Sequence, residues 1–142
     1  MDKTKESDAF EKIAARFQEN PIEFKRQFTA RPEPSLTRSE KWDKIEELWD
    51  EYAKLVKQEG KDDEIIRCMD SIIQLNPKDT HAWHNKGFAL DNLGKYKEAI
   101  ECFDKVIELD PKDSDSWYNK GFALDNLGKY KEAIKCYDKA IE

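Results

Sequence analysis

The sequence predicts an all-α fold in which antiparallel helix pairs stack side by side, and two observations carry this prediction. One segment, NKGFALDNLGKYKEAI, occurs at 85–100 and again at 119–134, a shift of 34 residues. Within each copy, apolar residues recur at helical spacing on both sides of the second glycine, Gly94 or Gly128. Such a period is typical of helical solenoids, where each copy shields the apolar face of its neighbour.

The period divides the chain into three units, at about 46–79, 80–113 and 114–142. The second and third units are identical at 22 of their 29 shared positions. The first unit has diverged, but it keeps five residues in phase: Trp49, Gly60, Cys68, Asp70 and Pro77. Together with a few preceding residues, the units form one predicted domain over residues 37–142.

Each unit is predicted to contain two helices. In the second unit Gly94 ends the first helix, because glycine adopts a left-handed backbone without steric cost. The second helix carries a wide apolar face and stops at Asp110, since a residue before proline avoids the helical region. Asp113 or Ser114 is the predicted N-cap of the next helix, where a side-chain oxygen accepts a backbone N–H.

Residues 1–36 do not fit the period and are predicted to form an N-terminal helical extension. Its apolar residues fall at helical spacing on two segments: Phe10, Ile13, Ala14 and Phe17 on one, Phe24 and Phe28 on the other. The extension either caps the exposed end of the first unit or contacts a partner. Thr37, with Glu40 three residues later, resembles a capping box, and the helix that follows is predicted to run to about Glu59.

The residues of the second unit resemble a known repeat family. The pattern Trp83-x-x-Lys86-Gly87-x-x-Leu90, followed by Ala99-x-x-x-Phe103 and Pro111, is similar to the tetratricopeptide repeat. The resemblance covers about Glu46–Glu142 and implies a right-handed superhelix whose first helices line a concave groove. Lys86 and Lys120 depart from the family, which usually has leucine there. In the first unit, Ala53 replaces the packed glycine.

By this resemblance, the groove binds an extended peptide or a helix of a partner protein. The implied groove residues are Asp50, Lys54, Lys57 and Gln58 in the first unit, His81, His84, Asn85, Phe88, Asp91 and Asn92 in the second, and Asp115, Tyr118, Asn119, Phe122, Asp125 and Asn126 in the third. Phe88 and Phe122 either anchor the ligand or pack against the helix of the preceding unit. Asn85 and Asn119 each offer a donor and an acceptor to a peptide backbone.

One subclass of the family does not fit. The carboxylate clamp, which grips the acidic C-termini of heat-shock chaperones, needs lysine, arginine and asparagine at set places of the groove. The matching places here are Asp50, Lys54, Asn85, Asp115 and Asn119, and Asn85 alone fits. The two aspartates would repel a ligand carboxylate.

Charge and composition limit the partners that the sequence predicts. The net charge of −6 disfavours nucleic acid and anionic membranes. The sequence has no apolar run as long as a membrane helix and no recognisable secretion signal, so a cytoplasmic location is predicted. Cys68, Cys102 and Cys136 fall in phase, too far apart to bridge or share a metal, and are predicted to be buried thiols.

Catalysis has little support in the sequence, and neither a cofactor nor a metal is predicted. The glycines are lone turn glycines rather than a phosphate-binding loop. His81 and His84 share one helix face but lack a zinc-binding pattern, so they are expected to face solvent in the groove. The predicted function is a non-catalytic scaffold for protein–protein interaction.

Two alternatives to this function stay open. The third unit stops before its closing turn, so Ile134, Tyr137 and Ile141 would have a partly open side. That end, or the N-terminal helices, would then join chains into a homodimer or a longer assembly. The other alternative is a piece of a longer array, acting as the regulatory part of a multidomain protein or enzyme.

Overall fold

The computed structural model describes residues 35–142, and every regular element in this range is an α-helix. The helices are α1 (Arg38–Leu55), α2 (Asp62–Leu75), α3 (Thr80–Asn92), α4 (Tyr96–Leu109), α5 (Ser114–Asn126) and α6 (Tyr130–Ile141). They form three consecutive pairs, as the period predicts. The predicted extension at 1–36 falls almost entirely outside the described residues and stays a prediction.

The packing of these helices is that of a solenoid. Each helix packs mainly on its neighbours in sequence, from α1 on α2 through to α5 on α6, and the first helices α3 and α5 also touch. The buried residues form separate clusters along the stack rather than one central core. Each unit therefore depends on its neighbours for burial, and the predicted all-α solenoid is confirmed.

A glycine in the left-handed backbone region ends the connection after the first helix of each unit. The φ angles of Gly60, Gly94 and Gly128 are 72°, 74° and 77°. At Gly94 the backbone N–H donates to Asp91 O at 2.9 Å, which satisfies a carbonyl at the end of α3. The turn predicted from the sequence at this glycine is confirmed.

Helix α1 is shorter than predicted. It ends at Leu55 rather than near Glu59. Val56 N still donates to Tyr52 O, but Gln58 N donates to Leu55 O in a tighter turn that leaves the helix. The connection between α1 and α2 is consequently longer than the connections inside the other two units, and it forms one rim of a cavity.

One local geometry recurs around the tryptophans at the repeat period. Trp83 Nε1 donates to Pro77 O at 2.8 Å, and Trp117 Nε1 donates to Pro111 O at 2.9 Å. The closing turn of one unit thus satisfies the indole N–H of the next, while the ring packs between helices. This hydrogen bond explains why tryptophan and proline keep their spacing across the units.

The N-caps of α3 and α5 differ although both are aspartates. Asp79 Oδ1 accepts the backbone N–H of Ala82 at 3.2 Å. Asp113 occupies the predicted N-cap of α5 but accepts no backbone N–H with its side chain. Its carboxylate accepts the hydroxyl of Ser116 at 2.5 Å instead. The cap position was predicted correctly, whereas the predicted bond is wrong, because α5 has a serine where α3 has alanine.

Candidate functional site

The residues predicted for the groove lie on α1, α3 and α5. The surface formed by these first helices of the three units is referred to as the first-helix face. Hydrogen bonds between side chains of α3 and α5 join the second and third units across this face.

A cavity of about 380 Å³ opens on the first-helix face where the first unit meets α3. Five of the predicted groove residues line it: Lys57, Gln58, Asn85, Phe88 and Asn92. Two of these come from the connection after α1 and three from α3. The cavity therefore owes its shape to the long connection in the first unit.

Apolar side chains form much of the cavity wall, and sequence analysis did not single them out. Tyr52, Val56, Ile65 and Ala89 line it beside Phe88. Val56 is 54% exposed although it is aliphatic. It lies just beyond the end of α1, although the sequence predicted that this helix would run to about Glu59. The wall and its polar rim together have the usual composition of a ligand site, which is mostly apolar with a few polar groups.

Phe88 and Phe122 are exposed on consecutive first helices. Their exposed fractions are 52% and 43%. The structure shows both rings partly at the surface, with Phe88 at the cavity beside side chains of the first unit. Both rings are therefore accessible to solvent on the first-helix face.

The asparagines that follow these rings differ in their hydrogen bonds. Asn92 Nδ2 donates to Asp62 Oδ1 at 3.1 Å, which ties α3 to the start of α2. Asn126 Nδ2 donates to Phe122 O on its own helix at 2.9 Å. The difference follows from the sequence, because Tyr96 stands one period after Asp62 and offers no carboxylate. Both amide nitrogens are therefore engaged within the protein.

His84 is half-buried between α3 and α5, so the prediction that it faces solvent is wrong. Its Nδ1 lies 3.2 Å from Ser116 Oγ, and its Nε2 lies 3.4 Å from Asn119 Nδ2. Because Ser116 donates its proton to Asp113, its oxygen accepts from His84 Nδ1–H. The ring then carries its proton on Nδ1, and Nε2 accepts the amide N–H of Asn119.

A second cavity of about 260 Å³ lies beside this network, between the second and third units. His81 and His84 line it together with the carboxylates of Asp110, Asp113 and Asp115. The side chain of His81 is 88% exposed, in line with its predicted place. The lining is acidic and contains neither lysine nor arginine.

Asp91 holds a poorly solvated carboxylate. Its Oδ1 is buried and finds no hydrogen-bond donor among residues 35–142. Burial raises the pKa of this carboxyl above its ordinary value. Asp125, one period later, is exposed. The charge of Asp91 is therefore stabilised less well by its surroundings than that of an aspartate in water.

The remaining predicted residues lie apart from both cavities. Asp50 and Lys54 are exposed on α1 and line neither of them. Tyr118 is 55% exposed, and its ring centroid lies 5.6 Å from that of Tyr137. The structure thus groups the second-unit residues most closely and leaves the predicted first-unit positions on α1 outside the cavity.

Lys86 and Lys120 point away from the first-helix face. Lys86 Nζ lies 2.6 Å from Asp70 Oδ1, and Lys120 Nζ lies 2.6 Å from Asp104 Oδ1. Each ammonium also lies over the indole three residues earlier, at 5.8 and 5.7 Å from the ring centroid. These contacts to the preceding unit explain a lysine where the family usually has leucine.

The three cysteines are free and buried, as predicted. Burial raises the pKa of the Cys102 thiol to about 11. Within residues 35–142, no three histidine, cysteine, aspartate or glutamate side chains are placed to hold a metal ion. In the same part of the chain, no helix has the length and apolar character needed to cross a membrane.

Family models match this part of the chain. Two models of the tetratricopeptide repeat match residues 81–113 and 102–135. The helical array is a tetratricopeptide repeat array. A model of the protein prenyltransferase alpha subunit repeat matches residues 62–93, which span α2 of the first unit and α3 of the second. No curated protein matches the sequence.

Solved structures share the fold of the tetratricopeptide array. A crystal structure of MamA is 27% identical with a TM-score of 0.56, and the match covers 58% of this chain and 48% of that one. A mutant of MamA is 26% identical with a TM-score of 0.64, covering 69% and 71%. This chain therefore spans just under half the length of the first MamA structure.

A third similar structure contains a ligand. It is the second tetratricopeptide domain of Spaghetti (RPAP3), bound to the HSP90 peptide SRMEEVD. It is 25% identical with a TM-score of 0.65, and the match covers 71% of this chain and 94% of that one. The likeness thus extends over nearly the whole of a domain that holds a peptide.

Proposed function

We propose that the first-helix face binds an extended segment of a partner protein in a non-catalytic interaction. The observation that carries the proposal is the position of Phe88, which is 52% exposed and lines the 380 Å³ cavity. Burying such a ring against a partner contributes free energy that a polar surface residue does not. Phe122 repeats the feature one unit later and extends the surface along the array.

The cavity fits one apolar side chain of the partner, and its rim fits the partner's backbone. Tyr52, Val56 and Phe88 supply the apolar wall. Asn85 lies at the rim with both a donor and an acceptor. Asn92 already donates its amide N–H to Asp62, so Asn85 is the residue we assign to the partner's backbone. This is the usual division of labour in such a site, with apolar depth and few polar groups.

The similar RPAP3 domain supports a peptide as the kind of ligand, because that domain is bound to one. Peptide binding by this chain is carried by its own residues, however, since the fold alone does not determine a ligand. We also place the protein in the cytoplasm, where its three free thiols would stay reduced.

The test is a selection of peptides from a random display library on the full chain. Selected peptides are expected to bind the wild type and to lose at least about tenfold in affinity for the Phe88→Ala/Phe122→Ala variant. Leu109→Ala is the matched control, because Leu109 is 40% exposed on a second helix. Peptides that bind the Phe88→Ala/Phe122→Ala variant as tightly as the wild type would exclude the first-helix face as their site, provided that circular dichroism shows the variant to be folded.

Self-association through α6 is a second candidate function. It is favoured by side chains of α6 that are exposed although the equivalent side chains of α2 and α4 pack against the next unit. Ile66 packs against the cluster of the second unit, and Ile100 packs against that of the third. Ile134, at the same place in α6, is 58% exposed. Asp138 matches the paired Asp104 but has no lysine partner among residues 35–142. Among residues 35–142, no helix covers the α6 surface that corresponds to the covered surfaces of α2 and α4.

Solution mass measured over a range of concentrations tests this candidate. Mass is expected to rise with concentration in the wild type and to stay monomeric in Ile134→Glu, because the glutamate would be buried at the contact. Val56→Glu, which places the same charge on the first-helix face, should associate like the wild type. A wild type that stays monomeric at the highest concentration rules the candidate out.

A further inference from the structure

Charges are distributed differently on the two kinds of helix. The second helices α4 and α6 mix both signs, and they carry local pairs such as Lys105–Glu108 at 3.0 Å. The first helices α3 and α5 carry carboxylates at Asp91, Asp115 and Asp125 and one lysine each. The sign of the surface that α3 and α5 present therefore depends on where their two lysines lie.

Neither of those lysines neutralises the first-helix face. Lys86 is held by Asp70 of α2, and Lys120 is held by Asp104 of α4. Both lysine side chains are 23% exposed, so they contribute little charge to the surface. Apart from the histidines, the charged groups that α3 and α5 present to a groove ligand are carboxylates. The part of the first-helix face formed by α3 and α5 thus has one sign and attracts a ligand of the other, whereas Lys57 and Lys61 stand at the cavity.

Asp91 supplies a second, independent observation. Its buried Oδ1 has no donor among the residues that the structure describes, while the side chain as a whole remains partly exposed. A carboxylate that has lost hydration on one oxygen gains more from a cation than a fully solvated one does. This group costs the folded chain stability, and a cationic ligand would offset that cost.

Exposed aromatic rings lie among these carboxylates. Phe88, Tyr118 and Phe122 are 52%, 55% and 43% exposed on the same two helices. An arginine or lysine side chain gains energy when it stacks over such a ring, and its aliphatic part gains from the apolar surface. A surface on which aromatic rings alternate with carboxylates is therefore suited to bind the long, positively charged side chains of lysine and arginine.

We infer that the ligand of the first-helix face is a basic segment, with lysine or arginine side chains over α3 and α5 and an apolar side chain in the cavity. This inference rests on the proposed function and names the chemical class of its ligand. The acidic peptide held by the similar RPAP3 domain has the opposite charge. Asp115, one of the positions matched to the carboxylate clamp, would attract this segment and repel an acidic one.

Two short labelled peptides test the inference on the full chain. They are identical, with leucine anchors, except that the arginines of one are glutamates in the other. The arginine peptide is expected to bind at least about tenfold more tightly at low ionic strength, and added salt should narrow the difference. A glutamate peptide that binds as tightly, and is still weakened by Phe88→Ala, would overturn the inference and leave the proposed function standing.

Asp91→Asn separates a ligand contact from a structural role. It is expected to weaken the arginine peptide by about threefold to tenfold and to raise the melting temperature, because it removes a poorly solvated charge. Glu101→Gln is the control, since it removes a charge from an exposed place on the second helix α4. Unchanged affinity in both Asp91→Asn and Asp125→Asn would overturn the inference. The inference would also be overturned if Asp91→Asn lowered both the affinity and the melting temperature, because a purely structural role of Asp91 gives that result.

Discussion

Lys120 Nζ lies 2.6 Å from Asp104 Oδ1, the same distance that separates Lys86 from Asp70 one period earlier. Each pair joins the first helix of one unit to the second helix of the unit before it. The lysines are mostly buried and the carboxylates nearly half exposed, so solvent screens part of the attraction. The main effect of the pairs is therefore to determine which residues of adjacent units come into contact. Their contribution to overall stability is smaller.

A double-mutant cycle on Lys120→Met and Asp104→Asn measures this pair. The coupling energy is expected to be about 0.5–1.5 kcal/mol, because the ammonium is largely desolvated and also lies over an indole ring. The cycle on Lys105→Met and Glu108→Gln is the control, since that pair lies on the surface of a single helix at 3.0 Å. Urea denaturation gives both values. Equal coupling in the two cycles would show that the interunit geometry adds nothing.

Gly87 lies so close to α4 that a Cβ would stand 2.8 Å from Phe103 Cε1 and 3.1 Å from Cys102 Cβ. Gly87→Ala is expected to lower the free energy of unfolding by about 1–3 kcal/mol, because the fully buried ring has to shift. A second change, Phe103→Leu, shortens the side chain and should recover part of that loss. Denaturation of both single variants and the double variant checks this, and strictly additive losses would contradict it.

Features set by local chemistry were predictable from the sequence. The glycine turn after Asp91 and the stop at Pro111 depend on backbone preferences of one or two residues, and both lie where predicted. The phase of Phe88 relative to Gly87 placed it on the first-helix face but left open whether the ring packs on the preceding unit. The end of α1 was not predictable in this way, since it depends on a tight turn at Leu55 that no proline or glycine marks.

Features that arise between units were not predictable. Whether His84 faced water or packed inside depended on Ser116, a residue 32 positions away in sequence. The cavity wall at Tyr52 and Val56 depended on how the connection after α1 passes over α3. The poorly solvated oxygen of Asp91 has the same origin, because an identical residue at Asp125 is exposed. Identical segments acquire different environments from their neighbours.

Ser116→Ala tests the two ways in which an aspartate caps a first helix. The loss of stability is expected to stay below about 1 kcal/mol, because Asp113 can then accept the backbone N–H of residue 116, as Asp79 accepts that of Ala82. Water from the adjacent cavity can replace the hydroxyl at His84 Nδ1. Asp113→Ala should cost more, about 1–2 kcal/mol, since the Ser116 hydroxyl loses its acceptor and no carboxylate remains to accept a backbone N–H of α5. Thermal denaturation compares the stability of the two variants, and a larger loss in Ser116→Ala than in Asp113→Ala would contradict the prediction.

Cys102 is expected to make the stability of the array depend on pH in the alkaline range. Burial raises the pKa of its thiol from the ordinary 9.0 to about 11, so the folded chain holds this proton more tightly than the unfolded chain. The resulting stability is fully present below about pH 9 and is lost as the pH rises towards about 11. Cys102→Ala lacks the titration, and its free energy of unfolding should fall less steeply than that of the wild type over this range. Urea denaturation at several pH values measures the slopes, with Leu109→Ala as a control that keeps the thiol. Parallel curves for the wild type and Cys102→Ala would show that the thiol does not contribute.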